Sequence, residues 1–156
     1  METDRILTAY HEAGHAVMAL LTGRSVKKVS IIPSQNRLGA CTIQKGRTRQ
    51  VQDKLEAEIL ILLAGMAAES RKSGRYNVQG ASQDLRGVEK LALARSGNPR
   101  QAQKLVHKML DKTQHLLNNK ATWNAVKMIA SELIAHESIS GRAAKHHFTL
   151  AQNQKS

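Results

Sequence analysis

The stretch His11-Glu12-Ala13-Gly14-His15 constrains this chain most, because it combines metal-ligand side chains with helical spacing. Residues four positions apart share one face of an α-helix, so the two imidazoles can hold one tetrahedral Zn²⁺. Glu12 would then lie beside the ion, placed to take a proton from an activated water. The alternative is an amphipathic helix with surface or core histidines and a solvated glutamate. Two histidines also leave a catalytic zinc site one protein ligand short.

The rest of the sequence predicts a mainly helical (α+β) fold with one short β-hairpin or small sheet. Asp4 can cap a first helix that carries the motif and ends at Leu21, before Thr22-Gly23. Two β-type runs, 28–32 and 38–44, are separated by strong turn formers, and we expect them to pair.

Apolar periodicity and capping signals predict five further helices. Gly74 is a stop signal for the first of them, Ser82 can cap the second, and Asn98 followed by Pro99 is typical of a helix start. Asp84 should then lie in the first turn of its helix. The predicted helices cover residues 49–72, 83–96, 99–118, 122–136 and 141–152.

At 156 residues the chain has the length of one domain, and we expect residues 1–156 to form one. Within it we expect a metal-site lobe (1–97), a helical C-terminal lobe (98–152) and a frayed tail (153–156). The longest apolar run, 59–68, is about half the ~20 residues that span a bilayer. The N-terminus lacks the apolar core of a secretory signal, and Cys41 is the only cysteine. We therefore expect no membrane segment and a reducing, cytoplasmic location.

The chain carries 24 Lys and Arg against 12 Asp and Glu, a net charge of +12. This charge attracts acidic partners through long-range fields. Binding of nucleic acid normally adds stacking aromatic residues to basic charge, yet aromatics are only 3% here. We therefore expect a solvated basic surface and no dedicated nucleic-acid role. A basic adaptor for acidic protein or nucleic acid is the least favoured alternative function.

Five segments occur in a characteristic order and spacing. They are Thr8-Ala-Tyr-His-Glu-Ala-Gly-His-Ala16, Val29-Ser-Ile-Ile-Pro33, Leu38-Gly39, Leu63-Ala-Gly-Met-Ala-Ala-Glu69 and Gly80-Ala-Ser-Gln-Asp84-Leu85. Together they resemble the peptidase domain of the FtsH family of ATP-dependent zinc metalloproteases. The resemblance covers about residues 4–95, and 136–142 is more loosely similar to the family's C-terminal helix-turn-helix.

The resemblance implies one Zn²⁺ per chain, with Asp84 as its third protein ligand. Spacing alone would not select Asp84, since a first-turn aspartate more often just complements the helix dipole. The family also has a glutamate at Glu69, which can orient a ligand histidine from behind; an ordinary solvated glutamate is the alternative. The resemblance further implies that an exposed edge strand binds extended peptide by strand addition, although this strand could merely close the sheet. The strand residues concerned are Leu38, Gly39, Ala40, Cys41 and Thr42.

Departures from the family pattern narrow the expected activity. Ser70 follows Glu69 where the family usually has a second glutamate, and the segment 44–49 is shorter than its counterpart. No phosphate-binding Gly-x-x-x-x-Gly-Lys-Ser/Thr loop occurs. We therefore expect a zinc endopeptidase for peptides or unfolded polypeptides that either works alone or uses an ATPase in trans, with a homo-oligomer as a further expectation. The main alternative is a non-catalytic module of the same fold that binds or regulates an ATP-dependent protease.

Overall fold

A computed structural model describes residues 2–33, 39–44 and 53–154 of the chain. These residues form six helices and a small three-stranded antiparallel sheet, which confirms the expected mainly helical fold with a small sheet. In chain order the elements are α1 (Glu2–Leu21), β1 (Ser25–Ser30), β2 (Ala40–Gln44), α2 (Lys54–Ser73), α3 (Ser82–Ser96), α4 (Pro99–Leu117), α5 (Lys120–His136), β3 (Ser138–Ser140) and α6 (Gly141–Asn153).

Helices α1 and α2 form the centre of the molecule and lie unusually close together. A Cβ at Gly14 would come within 2.5 Å of the Ala64 carbonyl oxygen and 2.6 Å of the Ala68 Cβ. A glycine inside a helix costs about 1 kcal/mol relative to alanine, and here that cost accompanies a close backbone approach. α1, which carries His11 and His15, is thereby held in a fixed position relative to α2.

Most helix boundaries follow the predicted signals, but the starts of α1, α3 and α5 differ; α5 begins at Lys120, two residues before its predicted start. Gly74 ends α2 in the left-handed conformation (φ 89°), and the Asn98 side chain caps α4. The prediction that Asp4 caps α1 was wrong, because the helix already begins at Glu2 and Asp4 lies in its first turn. Ser82 is likewise the first residue of α3 and not its cap, which is Ala81. The predicted start of α2 at residue 49 lies outside the described residues.

Asp53 caps α2 and also forms a two-point ion pair with Arg95 of α3. Its Oδ1 accepts hydrogen bonds from the Glu56 N–H at 3.1 Å and from Arg95 Nη2 at 2.8 Å, while Oδ2 lies 2.8 Å from Arg95 Nη1. The hydrogen bonds from Arg95 and from the Glu56 N–H lower the pKa of Asp53 to about 2. The charged form of Asp53 is therefore favoured by folding.

Asp53→Asn should lower the free energy of unfolding at pH 7, because the amide keeps the cap and loses the charge. A carboxyl whose pKa falls on folding stabilises the native state above its unfolded pKa of about 3.9. The difference between wild type and variant should therefore shrink as the pH falls from about 4 towards 2. Urea unfolding across this range measures it, and a difference independent of pH would contradict the assignment. Asp53→Ala should lose a further ~1 kcal/mol with the cap.

The sheet has the strand order β2-β1-β3, and all described pairings are antiparallel. The predicted pairing of the two β-type runs is confirmed, with Val29 opposite Cys41 and a bulge between Val26 and Lys28. β3 was not predicted; its three residues pair with the other edge of β1. β2 is therefore an edge strand of the described sheet, while Leu38, the first residue of the predicted substrate strand, lies outside the described residues.

One hydrophobic core joins the elements on both sides of residue 97. It includes Val17 and Met18 of α1, Leu63 of α2, and Val126 and Leu133 of α5, all at most 1% exposed. The division into two lobes remains a prediction. No helix among the described residues is both long and apolar enough to cross a bilayer.

Candidate metal centre

Three potential metal ligands meet where α1 faces the first turn of α3. His11 and His15 lie one helical turn apart on α1, as their spacing predicts. Asp84 Oδ2 lies 3.1 Å from His11 Nε2 and 3.2 Å from His15 Nε2. One ligand atom from each of the three residues falls within 4.8 Å of the other two. Sequence-distant helices thus bring together the three residues expected to bind metal.

The outer nitrogens of both imidazoles have acceptors that fix the rings. His11 Nδ1 lies 3.2 Å from Glu69 Oε1, and His15 Nδ1 lies 2.7 Å from the Ile61 carbonyl oxygen. Because a carboxylate and a carbonyl oxygen only accept hydrogen bonds, these contacts assign a proton to each Nδ1. In the neutral rings the lone pair is then on Nε2, which faces Asp84. This is the arrangement that metal-binding histidines usually have.

The electrostatics of the cluster favour a cation at its centre. Burial opposes the charged form of His11, but the hydrogen bonds to Asp84 and Glu69 outweigh it and raise the pKa of His11 to about 10. Burial of Asp84 is likewise outweighed by its hydrogen bonds to His11 and His15, which hold the pKa of this carboxyl well below its usual range. Two imidazole nitrogens and a carboxylate oxygen are also ligands that zinc accepts. The residues present therefore fit a bound Zn²⁺.

Gly65 of α2 packs directly against the two imidazoles, a feature that the sequence interpretation missed. A Cβ at this position would lie 2.7 Å from His11 Nε2, 2.6 Å from His15 Cε1, and still closer to His15 Nε2. Real Cβ atoms do not approach other atoms this closely, so any larger residue would displace the rings. The only available signal was a second glycine in the middle of a buried helical pattern.

Glu12 follows His11 on α1 and is largely buried, with 8% of its surface exposed. The chain at Gly39 passes close to it, since a Cβ at Gly39 would lie 3.1 Å from Glu12 Cγ and 3.1 Å from Thr8 Cγ2. Burial and, to a lesser degree, the charge of Glu12 raise the pKa of the Cys41 thiol on β2. The start of the edge strand therefore lies beside Glu12.

The structure brings most of the predicted site residues into one region. Glu69, 7% exposed, is a partner of His11 and not the solvated residue of the alternative interpretation. Of the predicted substrate strand, Gly39 is buried, Ala40 and Cys41 are partly exposed, and Thr42 is exposed. The catalytic, metal-binding and substrate-binding roles themselves remain predictions.

Comparison with known proteins assigns the part of the chain that contains these residues to a protein family. Residues 1–96 match the model of peptidase family M41. The ATP-dependent zinc metalloprotease FtsH of Ruminiclostridium cellulolyticum is 40% identical over 95 residues, which are 58% of this chain and 15% of the relative. Those of Rickettsia conorii and Opitutus terrae are 36% identical over 98 residues and 38% over 94, covering 60% and 57% of this chain. The chain spans about 15% of the length of these curated relatives. With more than half of its residues matched by the family model, the chain belongs to peptidase family M41.

Proposed function

We propose that the protein is a zinc metalloendopeptidase that hydrolyses peptide bonds in peptides or unfolded polypeptides. The observation that carries this proposal is the convergence of His11, His15 and Asp84, with ligand atoms within 4.8 Å of one another. Three protein ligands leave one position of a tetrahedral site for water or substrate, as in catalytic zinc sites. When bound there, zinc lowers the pKa of a coordinated water to about 7 and polarises a carbonyl oxygen.

Glu12 acts as the general base in this proposal. It lies on the same helical turn as the two histidines and is shielded from solvent. Its carboxylate takes a proton from the attacking water and returns it to the leaving amine. The neighbouring Cys41 thiol, whose pKa is raised, stays protonated at neutral pH and does not compete as a nucleophile.

Glu69 and the Ile61 carbonyl orient the two histidines. By accepting the Nδ1 protons of His11 and His15, they keep each Nε2 directed towards Asp84, where loss of the Nε2 proton makes its lone pair available to a metal ion. Partners of this kind commonly contribute about 10–100-fold to metal affinity or activity. Glu69 therefore acts through His11 and does not contact the substrate.

The outer edge of β2 is the proposed binding site for an extended substrate chain. β2 is an edge strand of the described sheet and begins beside Glu12, so a peptide paired to it would pass close to the metal ligands. Main-chain pairing requires little from the substrate sequence, which fits unfolded polypeptides. Leu38, Gly39, Ala40, Cys41 and Thr42 remain the proposed contacts.

The setting of the activity is also part of the proposal. The proposed partners are further copies of this chain and an ATPase acting in trans. The ATPase is proposed because relatives named ATP-dependent match this chain over only 15% of their own length. A cytoplasmic location fits Cys41, the only cysteine of the chain.

Zinc content and casein cleavage test the proposal together. The purified protein should hold one zinc per chain and cleave unfolded casein, a chelator should abolish cleavage, and added zinc should restore it. Asp84→Ala should weaken zinc binding and lose activity, because two histidines remain as the only protein ligands. Glu89→Ala, an exposed acidic residue on the same helix, is the matched control and should behave like wild type. Zinc retention without any cleavage would instead support the non-catalytic module.

A further inference from the structure

A concave surface lies away from the metal centre, between the end of α1, the start of β1 and α6. We name it the α6 groove; its volume is about 790 Å³. Leu20 lies five residues after His15 and therefore about 140° further around α1. An occupant of the groove would thus leave the metal ligands accessible. The lining residues are Leu20, Gly23, Arg24, Ser25, Val26, Gly141, Arg142, Lys145, Phe148 and Thr149.

The walls of the α6 groove are rigidly joined. Gly141, the first residue of α6, packs against the carbonyl oxygen of Val26 so tightly that no Cβ could be accommodated there. Ser140, immediately before it, pairs with Lys28 of β1 and caps α6 by accepting a hydrogen bond from the Ala143 N–H at 3.0 Å. The groove is consequently formed before any partner arrives, which reduces the entropy lost on binding.

The charge of the α6 groove is strongly positive. Arg24, Arg142 and Lys145 line it, and none of the described residues that line it is acidic. Of these three cations, only Arg24 forms an ion pair with a described residue; its partner is Glu58 Oε1, at 3.1 Å. Neither β1 nor α6 contains an aspartate or glutamate, and the first turn of α6 adds the positive end of its dipole. Two exposed cations therefore have no acidic partner within the described part of the chain.

The floor of the same groove is apolar. Leu20 and Phe148 are partly exposed there, beside the buried Val26. Phe148 is the only phenylalanine of the chain and packs against the hydrophobic core from this side. Cations around a hydrophobic floor are complementary to carboxylates that flank an apolar side chain.

We propose that the α6 groove docks an acidic segment of a partner protein that carries an apolar anchor residue. A polypeptide fits better than the other polyanions. A bilayer surface cannot enter a concave site, and nucleic acid would use the cations but not the apolar floor. The site lies apart from the proposed catalytic residues, so docking adds a recruitment function to the proposed hydrolysis.

Peptide binding to the whole 156-residue chain carrying Glu12→Gln tests this proposal without cleavage of the probe. The probe is fluorescein-labelled Glu-Asp-Leu-Phe-Asp-Glu, measured by fluorescence anisotropy, with Glu-Asp-Ser-Ser-Asp-Glu as the comparison peptide. Arg142→Glu/Lys145→Glu should weaken binding of the first peptide by about tenfold or more. The control Lys104→Glu/Lys108→Glu makes the same charge change on exposed positions of α4 and should alter binding less than about twofold. Cleavage of a short uncharged fluorogenic peptide by either double variant in the wild-type background should be unchanged, because such a peptide has no acidic segment for the groove to bind.

Three results would overturn the proposal. Equal losses in the two double variants would show that net charge alone attracts the peptide. Equal affinity for the two peptides would show that the apolar floor is not used. Tighter binding of a single-stranded oligonucleotide or of phosphatidylserine vesicles, lost in the same Arg142→Glu/Lys145→Glu variant, would assign the groove to another class of partner.

Discussion

Glu12→Gln should lower kcat/KM for casein cleavage by about 10²–10⁴-fold, the usual contribution of a general base. Glutamine has nearly the same shape as glutamate but cannot take up a proton at neutral pH. Because the three proposed ligands are His11, His15 and Asp84, the variant should keep one zinc per chain and an unchanged melting temperature. Separating activity from metal content is what assigns the proton transfer to Glu12.

The matched control for this change is Glu89→Gln, which removes the same charge from an exposed position on α3. It should retain wild-type activity. If Glu12→Gln cleaved casein as fast as wild type, Glu12 would not be the base. If the variant lost its zinc along with its activity, the effect would be structural and the proposed role would also fail.

Gly65→Ala should weaken zinc binding by about 10–100-fold, the range typical of positions that support metal ligands. The new methyl group would need to occupy space 2.7 Å from His11 Nε2 and 2.6 Å from His15 Cε1. One or both rings must then turn away from Asp84. Competition with a chromophoric chelator measures the zinc affinity, and casein cleavage should fall with it.

Gly87→Ala on α3 is the matched control, since it also adds one methyl group to a helical glycine. There the nearest atom is the Leu62 Cδ1, at 3.1 Å, the end of a flexible side chain. Alanine should be tolerated or slightly stabilising at this site, given its better helix propensity. Zinc affinity equal to wild type in Gly65→Ala would contradict the assigned contact between α2 and the imidazoles.

Local signals predicted those parts of the fold that local interactions determine. The Asn98 cap and the glycine stop at Gly74 each depend on residues within one turn. β3 could not be predicted, because three residues carry no usable periodicity and pair only through the position of β1. Asp4 and Ser82 were misassigned as caps because each is a good capping residue that lies within the first three residues of its helix.

In the candidate site, too, local spacing identified some residues, and the others depend on tertiary packing. His11, Glu12 and His15 could be identified from spacing, because one helix sets their geometry. Asp84 required a family resemblance, since only tertiary packing brings α3 to α1. Gly65 was not identified at all, because a glycine that makes room for another side chain leaves no chemical group to recognise.

The position of Asp84 also has a thermodynamic consequence. His11 and His15 lie 73 and 69 residues before Asp84, and residues 74–80 of the connection between α2 and α3 are all exposed. A metal bound by His11, His15 and Asp84 would be a reversible cross-link between α1 and α3, closing a loop of nearly half of the chain. At a free concentration 100 times its Kd, such a ligand stabilises the native state by about 2.7 kcal/mol. The melting temperature would then report metal loading without any substrate, and zinc depletion would loosen α3 as well as stop hydrolysis.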